Sequence, residues 1–253
     1  MPDRRLFARF AADEARIETQ LLCFPYAGGG TQVFRGWQTR VPPGIGVTAI
    51  RLPGREQRFR ERAIDSWPQA LDTLVEAVAP ETERGPYAFF GHSLGARLAY
   101  ELTHRLEAAG HRPPRALIVS ACRAPGVPAR FPPMHSMDGP TLTARLREMK
   151  GVPEEVLANA DLMALLEPLL RADLRLAETW PASPGRVRAP ILALCGEHDD
   201  IDPYEAMADW GHHTTGGFAI RSFPAGHFLL RESEEAVVAA VVAAVLSPTG
   251  AGE

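Results

Sequence analysis

Six short apolar runs punctuate this 253-residue chain, and each ends at a glycine or a turn signal. They are QLLCF (20–24), GVTAIRL (46–52), YAFFG (87–91), ALIVSA (116–121), PILALCG (190–196) and FAIRSF (218–223). Runs this apolar suit strands covered on both faces, as in a parallel sheet. Helical patterns separate most of them. SWPQALDTLVEAVAPE (66–81) offers Ser66 as N-cap and Pro68 in the first turn, where proline is tolerated. The pattern after Ser93 sets Leu98, Leu102, Leu106 and Ala109 on one side and stops at Gly110, a good C′ residue. AVVAAVVAAVL (236–246) reads as a terminal packing helix. Strand and helix in alternation predict an α/β fold with a mostly parallel, doubly wound sheet.

One region breaks the alternation. From about 128 to 184 only leucine-rich helical patterns occur, among them TLTARLREMK, PEEVLANADLMALLEPLL and RADLRLAETW. Pro153 suits a helix start, whereas Pro168 should break or kink the longer pattern. Such an insertion near the C-terminal edge of a parallel sheet would form a lid over whatever binds there. An extra helical layer of core packing is the alternative. The expected organisation is one domain over 1–253 with this helical insertion at about 128–184.

Composition narrows the functional classes. A formal net charge of −4 with no basic stripe argues against nucleic acid as a partner. RLPGREQRFRER (51–62) is basic, but glutamates interrupt it, and a solvated face accounts for it. No secretory signal pattern opens the chain, and no run of about 18 apolar residues offers a membrane span. Cys23, Cys122 and Cys195 are odd in number, far apart and each beside an expected strand. Buried thiols in a reducing compartment fit them better than disulfides, which makes the cytoplasm the expected location.

The chemistry starts at GHSLG (91–95), a G-x-S-x-G pentapeptide with a strand before it and a helix after it. A serine held on a strained turn there presents its Oγ clear of the sheet. Flanking glycines remove the β-carbons that would strike neighbouring backbone. The helix that follows aims its free N–H groups and positive end at the same point.

A serine hydroxyl needs a base. In this topology an acid and then a histidine should follow on loops after later strands. LCGEHDDID (194–202) places Asp199 on such a turn, and FPAGHFLL (223–230) offers His227. Asp200 and Asp202 compete with Asp199 for the acid role. Carboxylates beside His198 raise the thought of a metal, but no second ligand cluster accompanies them. His92 adjoins the serine, yet neighbours on a sharp elbow point apart. His104, His212 and His213 lack a strand-end context. The expected catalytic set is Ser93, Asp199 and His227, with no metal. An oxyanion hole would draw one backbone N–H from Leu94 and one from Ala27 in the glycine-rich loop of CFPYAGGG (23–30). That loop matches neither nucleotide-binding glycine pattern.

Several stretches together resemble the type II thioesterases, the separate editing enzymes of polyketide and nonribosomal peptide synthesis in the α/β-hydrolase superfamily. They are LLCFPYAGGGTQVFRGW (21–37), RLPGRE (51–56), FFGHSLGARLAYEL (89–102), SACRAP (120–125), LLRADLRLAETW (169–180) and FPAGHFLL (223–230). The resemblance implies an α/β-hydrolase fold and an acyl-enzyme route from Ser93, His227 and Asp199. The implied substrates are acyl thioesters on the phosphopantetheine arm of acyl carrier or peptidyl carrier protein domains of a synthase. Aberrant or stalled acyl groups would be cleared. No cofactor of its own is implied, and a mobile lid is.

One departure stands out: Tyr26 occupies a position where the family commonly has histidine. It leaves a backbone oxyanion hole intact and bears on the pocket mouth. Arg55 and Glu56 read as a structural turn rather than a carrier contact. No segment reads as an oligomer seam, so a monomer is expected, with neither nucleic acid nor membrane as partner. The residues alone leave three rivals: a carboxylesterase or lipase, an acyltransferase, and an inactive scaffold of the same fold.

Overall fold

The computed structural model describes residues 4–247. In chain order its strands are β1 (Phe7–Arg9), β2 (Thr19–Phe24), β3 (Ile45–Ile50), β4 (Tyr87–His92), β5 (Leu117–Ser120), β6 (Ile191–Gly196) and β7 (Phe218–Phe223). Its helices are α1 (Trp67–Glu83), α2 (Leu94–Ala108), α3 (Gly139–Glu148), α4 (Glu154–Leu157), α5 (Ala160–Glu178), α6 (Tyr204–Ala208), α7 (Leu229–Glu232) and α8 (Glu234–Leu246). The strands form one sheet in the order β1-β3-β2-β4-β5-β6-β7, all parallel except β1, which runs antiparallel to β3.

Strand periodicity sorts the core into two layers. Leu22, Phe24, Phe89 and Val119 point to the side packed by Leu74, Val78, Leu98 and Leu102 of α1 and α2. Their neighbours Leu21, Cys23, Phe90 and Ile118 point to the other side, against Val237, Val241 and Val245 of α8. The apolar tail is therefore one face of the sheet's cover. Among the described residues no helix is long and apolar enough to cross a membrane. All three cysteines are buried and unpaired.

Local chemistry accounts for the boundaries. Gly110 sits at φ +88, and the N–H groups of Gly110 and His111 donate to the carbonyls of Glu107 and Leu106 at 3.1 and 3.0 Å. This closes α2 with a left-handed cap. Ala109 lies past the apolar stripe and is exposed, unlike Leu98, Leu102 and Leu106. Ser66 precedes α1 in extended backbone, but its hydroxyl makes no capping bond.

Three features depart from the sequence reading. The basic stretch 51–62 is not a solvated face, since Arg51, Arg55 and Arg58 are buried. The edge strand β1 is only three half-buried residues, and its register, Phe7 opposite Ile50, is a long-range fact no apolar run announces. The long helical pattern also breaks at Asn159 rather than Pro168. The Asn159 side chain accepts the Leu162 N–H at 3.1 Å and starts α5, which runs unbroken through Pro168. Pro168 and Ala164, whose carbonyl loses its helical partner, are both exposed, so water can take the orphaned acceptor.

Helices α3, α4 and α5 fill the span between β5 and β6. They have a small core of their own, built from Leu142, Leu146, Leu157, Met163, Leu170 and Leu174.

Candidate active site

Ser93 stands between the end of β4 and the first turn of α2, at φ 54 and ψ −113. That conformation costs about 1–3 kcal/mol for a non-glycine residue and persists only where its surroundings impose it. The surroundings are backbone. The Ser93 N–H donates to the Ser120 carbonyl at 2.8 Å, and the Ala96 N–H donates to the Ser93 carbonyl at 3.0 Å. A β-carbon on Gly91 would lie 2.3 Å from the Gly95 oxygen, and one on Gly95 would lie 2.0 Å from the Phe24 oxygen. The helix can enter this close to the sheet only with glycine at both positions. Gly95→Ala is expected to cost about 1–3 kcal/mol through overpacking. In a chain of this size each kcal/mol lowers Tm by about 2–4 °C, so thermal unfolding reads it.

The other two residues sit on the loops that follow β6 and β7. Gly196 closes β6, and a β-carbon there would lie 2.3 Å from the Gly226 oxygen. This close approach sets the loop carrying Asp199 against the loop carrying His227. Asp199 Oδ2 lies 2.9 Å from His227 Nδ1, and both residues are buried. A carboxylate can only accept, so Nδ1 carries the proton and Nε2 is left basic. The other Asp199 oxygen accepts the N–H groups of Ile201 and Asp202 at 2.8 and 3.0 Å, which fixes the carboxylate. The rival acids are engaged elsewhere. Asp202 is 3.1 Å from Arg123, and Asp200 is exposed.

Ser93 and His227 together line two small cavities, of about 100 and 70 Å³. The smaller one is apolar, walled by Tyr26, Leu146, Val152, Leu170 and Phe228, and Ala27 borders it. The Leu94 N–H, in the first turn of α2, has no intrahelical acceptor.

His92 is closer to the site than adjacency on a sharp elbow suggested. Its ring centre is 5.6 Å from that of His227, and its Nδ1 lies 2.9 Å from Ser120 Oγ. Burial, reinforced by charge on His227, pushes its pKa well below the usual value and keeps it neutral. Tyr26 meets His92 and Phe228 edge-on and forms part of the wall of the smaller cavity. His104 is satisfied by the Tyr100 hydroxyl at 3.0 Å. Among the described residues no group of three or more His, Cys, Asp or Glu could hold a metal ion.

A second layer holds the glycine-rich loop. Asp173, 1% exposed on α5, accepts the Gly28 N–H at 2.7 Å and pairs with Arg55 at 2.8 Å. Arg55 also donates to the Gly29 carbonyl at 2.8 Å. Next to it, Glu56 accepts the N–H and hydroxyl of Thr31 and the Arg51 Nε, all at 2.7 Å. Burial opposes ionisation of Glu56, but these donors outweigh it and lower its pKa. Arg55 and Glu56 are thus structural, and what they structure is the loop carrying Ala27. Asp173 gave one sequence signal, an acid on the buried stripe of a leucine-rich helix. Asp173→Asn leaves the buried Arg55 charge uncompensated and is expected to cost about 3–5 kcal/mol, read by urea unfolding.

A mostly parallel sheet with a serine on the strand-to-helix turn after β4, and an Asp–His pair after β6 and β7, defines an α/β-hydrolase. The thioesterase domain family model matches residues 19–245, and the chain belongs to that family of thioester hydrolases. It is 34% identical to thioesterase PikA5 of Streptomyces venezuelae over 215 residues, 84% of this chain and 76% of that one. It is 33% identical to the gramicidin S biosynthesis protein GrsT of Aneurinibacillus migulanus over 216 residues, 85% and 84% of the two chains. The structure of BorB, a type II thioesterase from the borrelidin biosynthetic cluster, superposes with a TM-score of 0.84 at 30% identity, covering 98% of each chain.

Proposed function

We propose that this thioesterase is a type II enzyme that hydrolyses acyl groups from the phosphopantetheine arm of acyl or peptidyl carrier domains, using Ser93, His227 and Asp199. The observation that carries the mechanism is the His227–Asp199 pair at 2.9 Å, with His227 lining the same cavities as Ser93. Its likeness to a gramicidin S biosynthesis protein and to a type II thioesterase of the borrelidin biosynthetic cluster supports the carrier-bound substrate.

Ser93 Oγ attacks the thioester carbonyl while His227 Nε2 takes its proton. The N–H groups of Ala27 and Leu94 receive the developing oxyanion. As the tetrahedral intermediate collapses, the C–S bond breaks and the imidazolium returns its proton to the departing thiol. Water then attacks the acyl-serine, with His227 again accepting the proton, and the carboxylic acid leaves. Asp199 holds the tautomer and stabilises the imidazolium without taking the proton.

Leu146 at the end of α3 and Leu170 and Leu174 of α5 wall the cavities, which supports a lid role for the insertion. The same arrangement supports one domain, since the insertion's residues complete the site.

The test is a carrier protein loaded with acetyl, propionyl or longer acyl groups, its release followed by mass spectrometry, with oxygen esters alongside. Deacylation of the carrier in preference to the oxygen esters is expected. A carrier that stays loaded while oxygen esters are cleaved would replace this reading with an esterase.

A further inference from the structure

The two cavities at Ser93 differ in how they meet solvent. The larger reaches the surface through the exposed stretch 129–132 and is rimmed by Arg123, Arg130 and Arg145. Every residue around the smaller one is buried or half-buried. A carrier's arm, with its amides and phosphate, therefore has an open polar route to Ser93. The closed apolar end is left for the acyl chain.

Behind that closed end lies a third cavity of about 210 Å³, bounded by the glycine-rich loop, α4 and α5. Among the described residues its wall holds no charged side chain, and Val33, Val156, Leu166 and Leu169 are part of it. It shares four wall residues with the smaller cavity, namely Tyr26, Gly151, Val152 and Leu170, but neither Ser93 nor His227 borders it. These four residues separate two neighbouring spaces. Gly151 brings no side chain, and Tyr26 is the bulkiest of the other three. Its ring is braced by His92 and Phe228, which meet it edge-on with ring centres 5.6 and 5.2 Å away. Leu170 is pressed onto the glycine-rich loop, where a β-carbon on Gly28 would lie 2.5 Å from its Cδ2. Side chains packed this closely do not yield to small shifts.

We infer that Tyr26 is a specificity-determining residue: its ring ends the acyl site, and the third cavity is an extension of that site which the ring closes off. This rests on the thioesterase mechanism above and adds to it the residue that limits acyl length. A chain attached to Ser93 and running into the smaller cavity meets the phenol ring after a few carbons. A longer chain has to displace a braced aromatic ring. With the ring trimmed, the same chain would pass on to further apolar wall.

The test measures kcat/KM for butyryl, hexanoyl, octanoyl and decanoyl thioesters on one carrier protein, with the wild type, Tyr26→Phe, Tyr26→Leu and Tyr26→Ala. The wild type should lose activity between butyryl and octanoyl. Each methylene newly buried is worth about fourfold, so about two or three of them predict that Tyr26→Ala raises the octanoyl-to-butyryl ratio by about tenfold to a hundredfold. Tyr26→Leu should move the ratio the same way by less, and Tyr26→Phe should keep the wild-type profile. Adding Val156→Phe to Tyr26→Ala fills the third cavity and should remove the gain. An equal change at all chain lengths would overturn the inference and make Tyr26 a support for the neighbouring Ala27 backbone. A gain that survives Val156→Phe would also overturn it, since the longer chain would then lie elsewhere.

Binding of butyrate and octanoate to Ser93→Ala, measured by calorimetry, gives a readout without turnover. Octanoate should gain on butyrate when Tyr26→Ala is added, and an unchanged ratio of affinities would count against the stop. If no thioester is cleaved, the mechanism above fails, and this binding ratio alone then decides whether Tyr26 limits the site.

Discussion

Replacing Ser93 with alanine is expected to lower kcat for thioester hydrolysis by about 10⁶-fold, close to 8 kcal/mol of transition-state stabilisation. The loss is large because His227 and Asp199 have no function once the hydroxyl is gone, so a further His227→Ala change should add little. A small activity over water should persist, since the proposed oxyanion donors, the Ala27 and Leu94 N–H groups, are backbone and survive the substitution. The backbone bonds that hold the elbow, from Ser93 N–H to Ser120 and from Ala96 N–H to Ser93, do not involve the hydroxyl. Thermal unfolding should therefore shift by no more than a few degrees. An activity loss below a hundredfold with carrier-bound substrate would remove Ser93 as nucleophile.

Asp199→Asn should lower kcat by about 10⁴-fold with little change in stability. The asparagine oxygen can keep the N–H donors of Ile201 and Asp202, which turns its NH₂ toward His227. Nδ1 must then accept, so the ring proton moves to Nε2 and the base facing Ser93 is lost. Asp202→Asn supplies the contrast. It weakens the ion pair with Arg123, and its effect should fall on unfolding rather than on kcat. Measuring both variants for activity and urea unfolding separates the two acids, and equal kcat losses would contradict the assignment to Asp199.

The spacing of the chain favoured Asp199 but kept Asp200 and Asp202 as rivals, because acids on one turn are hard to tell apart until their side chains acquire directions. The close approach of Gly196 to Gly226 supplies that direction, and it is a contact between loops 30 residues apart. Strands β2 to β6 were legible because burial on both faces demands unbroken apolar runs, and the half-buried edge β7 was legible through Phe218, Ile220 and Phe223. β1 was not, because a three-residue antiparallel edge needs only backbone partners from β3. Ser93 and its glycines were readable from sterics local to five residues. The Arg55–Asp173 pair, 118 residues apart, joins two segments whose apolar patterns say nothing of each other.

The bond from Asp173 to Gly28 divides the insertion into two parts with different evolutionary freedom. The half of α5 that carries Asp173 belongs to the frame of the glycine-rich loop, because displacing it would release the backbone beside Ala27. Helices α3 and α4 carry no such tie. Sequence drift and engineered exchange there would reshape the cavity wall while the glycine-rich loop stayed in place, so new substrate ranges should arise by changing residues 139–157 and leaving 169–178 alone.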